Sequence, residues 1–89
     1  MAGLIERMAL TLNYDPHSGL IYRGGKVAGG DKGNGYIRVR FEGKRYAAHR
    51  IAWALFYGAW PDGEIDHINR NRSDNRIDNL RVTTREQNM

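Results

Sequence analysis

The 89-residue sequence contains no cysteine. Disulfide frameworks, thiol nucleophiles and cysteine-ligated zinc are thereby excluded. The same absence agrees with a reducing compartment, and the sequence alone leads us to expect a cytoplasmic protein. Long hydrophobic runs are missing as well. No stretch approaches the roughly 18–20 apolar residues of a membrane span. The N-terminal run Met1–Leu10 is broken by Glu6 and Arg7 and does not read as a signal peptide. No membrane partner is expected. Neither glycine pattern that cradles phosphate groups is present, nor is the Gly-x-Ser-x-Gly turn of a serine nucleophile. The loop Asn69–Leu80 has Asp74 and Leu80 where a calcium loop needs glycine and glutamate, which excludes that reading too.

A chain of this length is one small domain. Its net charge of +4 is unevenly placed. Residues 1–63 hold nine Lys/Arg and five Asp/Glu, whereas residues 64–89 hold five of each. A basic front part beside a mixed-charge tail suggests one surface that grips a polyanion and another that brings carboxylates next to it.

Leu10–Tyr14 alternates weakly, and Asp15-Pro16-His17-Ser18-Gly19 is a turn, with Pro16 fixing φ and Gly19 free to take a positive one. Leu20–Arg23 returns as a strand. Gly24–Gly35, with six glycines, reads as a loop. Tyr36–Glu42 is the clearest strand: Ile37, Val39 and Phe41 share one face, and Arg38 and Arg40 the other. A turn at Gly43 leads to a second strand, Arg45–Ala48. His49–Tyr57 has helical spacing, with Ile51, Ala52, Leu55 and Phe56 on one side, and Gly58 and Pro61 end it. His49 reads as a residue of the helix start. Glu64–Ile68 and Asn79–Thr83 are short strands around an Asn- and Asp-rich loop, ordered by side chains that bond their own backbone. Thr84 and Gln87 form the capping-box pattern of a final helix.

The stretches His49-Arg50-Ile51-Ala52-Trp53, Ile65-Asp66-His67-Ile68-Asn69, Asp74-Asn75-Arg76-Ile77-Asp78-Asn79-Leu80 and Val82-Thr83-Thr84-Arg85-Glu86-Gln87-Asn88 together resemble the HNH nuclease family, in its phage homing-endonuclease-like branch. His67 precedes Asn79 by 12 residues and Asn88 by 21. The resemblance implies an α+β fold in three parts. Residues 1–48 form an N-terminal β-hairpin region, residues 49–60 a helix, and residues 64–89 a C-terminal ββα-metal motif whose last helix is short. It implies a divalent-metal-dependent DNA endonuclease, encoded by a phage or its bacterial host, that leaves a 5′-phosphate and a 3′-hydroxyl. In that reading His67 is the general base, Asn79 ties the loop and orients the imidazole, and Asp66 and Asn88 hold the metal.

The residue chemistry agrees. An imidazole with an ordinary pKa of about 6.5 supplies a base at neutral pH. Asp66 and Asn88 are oxygen donors, which suit Mg²⁺ or Mn²⁺ better than Zn²⁺. Adjacent strand residues point to opposite faces, so a bulge or twist at the strand end is needed to bring Asp66 and His67 to one site. Arg38, Arg40, Lys44, Arg45 and Arg50, with Lys26 and Lys32 nearby, are the candidate DNA contacts. Each of these residues also has a plain structural role open to it, and the competing reading is a DNA-binding module or fragment without catalysis. A homodimer is compatible with the sequence but not specified by it.

Overall fold

The structure, a computed structural model, describes residues 3–31 and 33–83. It is an α+β arrangement of two helices and three small antiparallel sheets. Helix α1 spans Leu4–Thr11 and passes directly into β1, Leu12–Tyr14. This helix was not expected. The weak alternation around Leu10 suggests a strand, but Leu10 lies in the helix and is 85% exposed. The stronger signal is the spacing of Leu4, Met8 and Leu12, one helical turn apart, which points all three at the core.

The turn after β1 brings the chain back as β2, Ile21–Arg23, and then β3, Lys26–Val27, so that β1, β2 and β3 form one sheet in that order. β4, Gly30–Asp31, begins the second sheet, followed by β5, Ile37–Phe41, and β6, Lys44–Ala47. The glycine-rich stretch expected as a loop therefore supplies two short edge strands. Its glycines limit the length of those strands without preventing pairing. Lys32 lies outside the described residues.

Helix α2, Ala48–Tyr57, starts one residue before the expected position and ends at Gly58. Gly58 takes the left-handed conformation, at φ 76°, and its N–H donates to the carbonyl of Ala54. α2 packs against α1, β1, β5 and β6. Met8, Leu12, Ile21, Val39, Phe41, Ala48 and Ile51 form the buried cluster at this junction. Alternation along β5 puts Val39 and Phe41 into the cluster and Arg38 and Arg40 on the opposite face, as the sequence pattern requires.

β7, Glu64–His67, and β8, Leu80–Thr83, form a separate two-stranded ribbon closed by the loop 68–79. A single 3₁₀ turn, Ile77–Asn79, leads into β8 and rests against α2. The expected final helix, with the Thr84 and Gln87 cap, lies outside the described residues. No helix among the described residues is long and apolar enough to cross a membrane.

Candidate active site

The ribbon is regular to its end: Glu64 pairs with Thr83, Ile65 with Val82, Asp66 with Arg81 and His67 with Leu80. No bulge interrupts this register, so Asp66 and His67 leave opposite faces of β7. The local distortion expected to bring them to one face is not present. The Asp66 carboxylate lies on the solvent side beside its cross-strand partner. Arg81 donates to it from Nη2 at 2.9 Å and from Nε at 3.1 Å, both to Oδ2.

His67 points inward and is only 5% exposed. Its Nε2 lies 2.7 Å from Oδ1 of Asn75, itself 3% exposed. An amide oxygen only accepts, so with the amide in this orientation Nε2 carries the ring proton and Nδ1 the lone pair. The edge of the His67 ring meets the ring of His49, with centroids 5.0 Å apart and planes at 78°. Tyr36 flanks both imidazoles, at 6.1 Å from His67 and 5.7 Å from His49. The Arg72 guanidinium covers Tyr36 at 4.9 Å.

His49 does not cap α2. The helix begins without a side-chain cap, and the His49 ring turns into the site instead. Its Nδ1 is buried and has no hydrogen-bond partner among the described residues. Burial lowers its pKa to about 4, with smaller contributions from His67, Arg50 and Arg38. It is therefore a neutral ring at physiological pH.

Asn79 does what a loop tie requires. Its Oδ1 accepts from the N–H of Asn69 at 2.9 Å, and its Nδ2 donates to Asn69 Oδ1 at 3.0 Å and to the Asp74 carbonyl at 2.8 Å. Its own carbonyl accepts from the N–H of Ile68 at 2.8 Å. The loop continues the same device: Asn69 and Asn71 side chains accept from the backbone N–H two residues on, and Asp74 does so for Arg76. The Arg76 guanidinium on Asp74 holds that carboxyl well down, at about 2, against a smaller opposing effect of burial. The amide hydrogen-bonded to the His67 ring is that of Asn75, whereas the hydrogen bonds described for the Asn79 side chain run to Asn69 and Asp74. Asn75 sits within the quoted motif, but nothing in the spacing singles it out, because a side chain that bonds a ring across a loop leaves no periodic trace.

The basic residues divide into groups. Arg38, Arg40 and Arg45 share one face of the β5–β6 ribbon, where Arg40 pairs with Arg45. With Arg23, Gly29 and Gly30 they line a hollow of about 380 Å³. Arg23 donates to the carbonyl of Arg40, a link between the two larger sheets that sequence reasoning missed. Lys44 is separated from this group. It pairs with Phe41, and the pleat puts that pair on the other face. Arg50 lies over Trp60 at 5.6 Å and lines a second hollow, of about 280 Å³, with Tyr36, Arg38, His49 and Glu64. Arg38 is thus a wall common to both hollows, so the arginine face runs up to the imidazole cluster.

Asp66 presents one carboxylate oxygen beyond the Arg81 pair, and Asn88 lies outside the described residues. Among the described residues no cluster of three or more His, Asp or Glu side chains is placed to hold a metal ion. What is described of the donor set is hard oxygen, which fits a magnesium-like cation that fills most of its shell with water and substrate.

No curated protein sequence matches the chain significantly. The sequence profile of the HNH endonuclease family matches residues 46–89, which include α2 and the whole β7–loop–β8 unit. The fold superposes on the solved structure of the HNH homing endonuclease I-HmuI, described as binding and cleaving DNA, with a TM-score of 0.67 and 25% identity. That match covers 88% of this chain and 49% of the other, so the present chain spans about half the length of its structural relative. On the motif, the profile and the fold together, the chain belongs to the HNH endonuclease family.

Proposed function

We propose that this chain is the cleavage domain of a metal-dependent DNA endonuclease in which His67 is the general base. The observation that carries the reading is the buried His67 imidazole, anchored through Nε2 so that Nδ1 is left to take a proton. It stands on the strand that also bears Asp66, beside a face of clustered arginines. Arg38, Arg40, Arg45 and Arg50 hold the phosphate backbone and set its register, with Lys44 at the far side of the ribbon turn. Asp66, together with Asn88, holds Mg²⁺ or Mn²⁺ in preference to Zn²⁺. When bound, that cation supplies charge stabilisation at the phosphate and at the departing 3′ oxygen. His67 removes a proton from the attacking water at Nδ1, and the neutral His49 ring beside it excludes solvent without competing for that proton. Asn79 keeps the loop closed so that His67 and Asp66 retain their spacing.

The test is plasmid nicking with purified protein in Mg²⁺ or Mn²⁺. Nicking should vanish in EDTA and fall about a thousand-fold in His67→Ala, within the range of a lost general base. Gel-shift affinity for DNA should change little in that variant and should fall steeply with salt. The Asp66 carboxylate is engaged by Arg81 on the ribbon face opposite His67, which favours one second reading, a DNA-binding module that does not cut. Retardation without nicking in any divalent metal would establish it.

A further inference from the structure

We propose that Asn75 is a positioning residue for His67, and that the turn between β1 and β2 holds it in place. The inference rests on the assignment of His67 as the base and adds what fixes that base in its working tautomer. Asn75 lies one residue after Asp74 in the loop, where its side chain reaches back to β7 and bonds Nε2. The bond is between two buried groups, so water cannot replace it.

Three contacts from the N-terminal part of the chain converge on residues 75–77. The hydroxyl of Tyr14 donates to the carbonyl of Asn75. The N–H of Ile77 donates to the carbonyl of Pro16 at 3.1 Å. Gly19, at φ 80°, lies so close that a Cβ there would be 2.5 Å from the Asn75 carbonyl carbon and 2.4 Å from the Arg76 nitrogen. A residue with a side chain cannot take that place without displacing the loop. The turn therefore brackets residues 75–77 from outside while the amide holds the imidazole from inside. A catalytic ring with one nitrogen pinned in this manner presents a single lone pair in a single direction, the arrangement that a third group provides in acid–base sites generally.

The experiment uses the full chain and two measurements. Long-range ¹H–¹⁵N spectra at pH 8 report which ring nitrogen of His67 is protonated, and plasmid nicking reports kcat and KM. Wild type should show the Nε2–H tautomer. Asn75→Leu should show a mixture, with kcat lower by roughly 10–100-fold and KM for DNA changed less than about twofold. Asn75→Asp keeps an acceptor and should restore both the single tautomer and most of kcat. Tyr14→Phe leaves the amide intact but frees its backbone, and should lower kcat several-fold. This variant carries the test if Asn75→Leu does not fold. A wild-type Nδ1–H tautomer, or unchanged spectra and kcat in both Asn75→Leu and Tyr14→Phe, would overturn the proposal. Failure of the underlying nuclease reading looks different: nicking would be absent in every divalent metal, or unaltered in His67→Ala, while the tautomer spectra still responded to Asn75.

Discussion

From Met8 to Ala54 the buried side chains are apolar, nine of them among the described residues. From His67 to Thr83 they are His67, Asn75, Asn79 and Thr83, with Leu80 as the apolar exception. Two neighbouring parts of one small chain are thus held by different forces. Apolar burial does not depend on direction, so it fixes a scaffold but no particular atom. Hydrogen bonds between buried amides are directional, and they specify where each ring and carboxylate stands. The polar part cannot sustain itself alone, since a two-stranded ribbon is at best marginal in water. It leans on the apolar part through Tyr14, Pro16 and the Ile77–Asn79 turn against α2.

The strongest test of this division is to damage the scaffold. Ile51 is fully buried between α2 and the sheets. Ile51→Ala should cost about 3–4 kcal/mol and lower Tm by roughly 15 °C or more. If the ribbon depends on the scaffold, hydrogen-exchange protection at Ile68 and Asn69 must fall by the same amount as at Val39. Protection that survives in the ribbon alone would show an independent unit and break the comparison.

A smaller loss should follow from cutting the loop tie. Asn79→Ala removes three side-chain hydrogen bonds from a residue that is 5% exposed and strands the Asn69 N–H. We expect about 2–3 kcal/mol, confined to the ribbon. Exchange at Ile68, Asn69 and Asp74 should quicken while Val39 and Ile51 keep their protection. Equal loss everywhere would mean that the loop and the core unfold only together.

The same contrast explains what the sequence made legible. The β5–β6 hairpin, α2 and the β7 and β8 strands follow from period and turn chemistry, because apolar burial imprints a repeat of two or about three and a half on the chain. The motif residues Asp66, His67 and Asn79 stand out by residue type and spacing. The hydrogen bond from His67 Nε2 to the Asn75 side-chain oxygen does not, nor does the seating of His49 against His67, since each joins residues through a fold that no local pattern encodes. Helix α1 escaped for another reason. At about two turns it is too short to repeat its apolar spacing clearly, and Leu10, which suggests the wrong face, is exposed. The missing bulge at Asp66 is a further lesson: the cross-strand pair with Arg81 satisfies the carboxylate where it stands, so nothing drives the strand to distort.

The least expected effect is a pH dependence with two separate windows, one for the junction of the two parts and one for the loop. His49 sits at the junction, among His67, Tyr36, Arg38 and Arg50, with its folded pKa lowered from 6.5 to about 4. Above pH 6.5 the ring is neutral folded or unfolded and contributes no pH dependence. Between 6.5 and 4 the unfolded chain takes up the proton that the folded chain refuses, so stability falls as pH falls, and below 4 this loss levels off. Allowing for the partial exposure of the ring, the total is about 2 kcal/mol or less. Asp74 acts lower. Its folded pKa of about 2 lies below the ordinary 3.8, so the Arg76 and Asn69 contacts stabilise the loop above 3.8 and that support is lost as pH drops toward 2. Urea titrations at successive pH values, followed by tryptophan fluorescence, separate the two. His49→Phe should flatten the curve between 6.5 and 4 and leave the lower step. Asp74→Asn should do the reverse. A His49→Phe protein that still loses stability across the upper window would place the titrating group elsewhere, and the junction would then owe its order to the hydrogen bonds around residues 75–77 rather than to the neutral imidazole packed beside them.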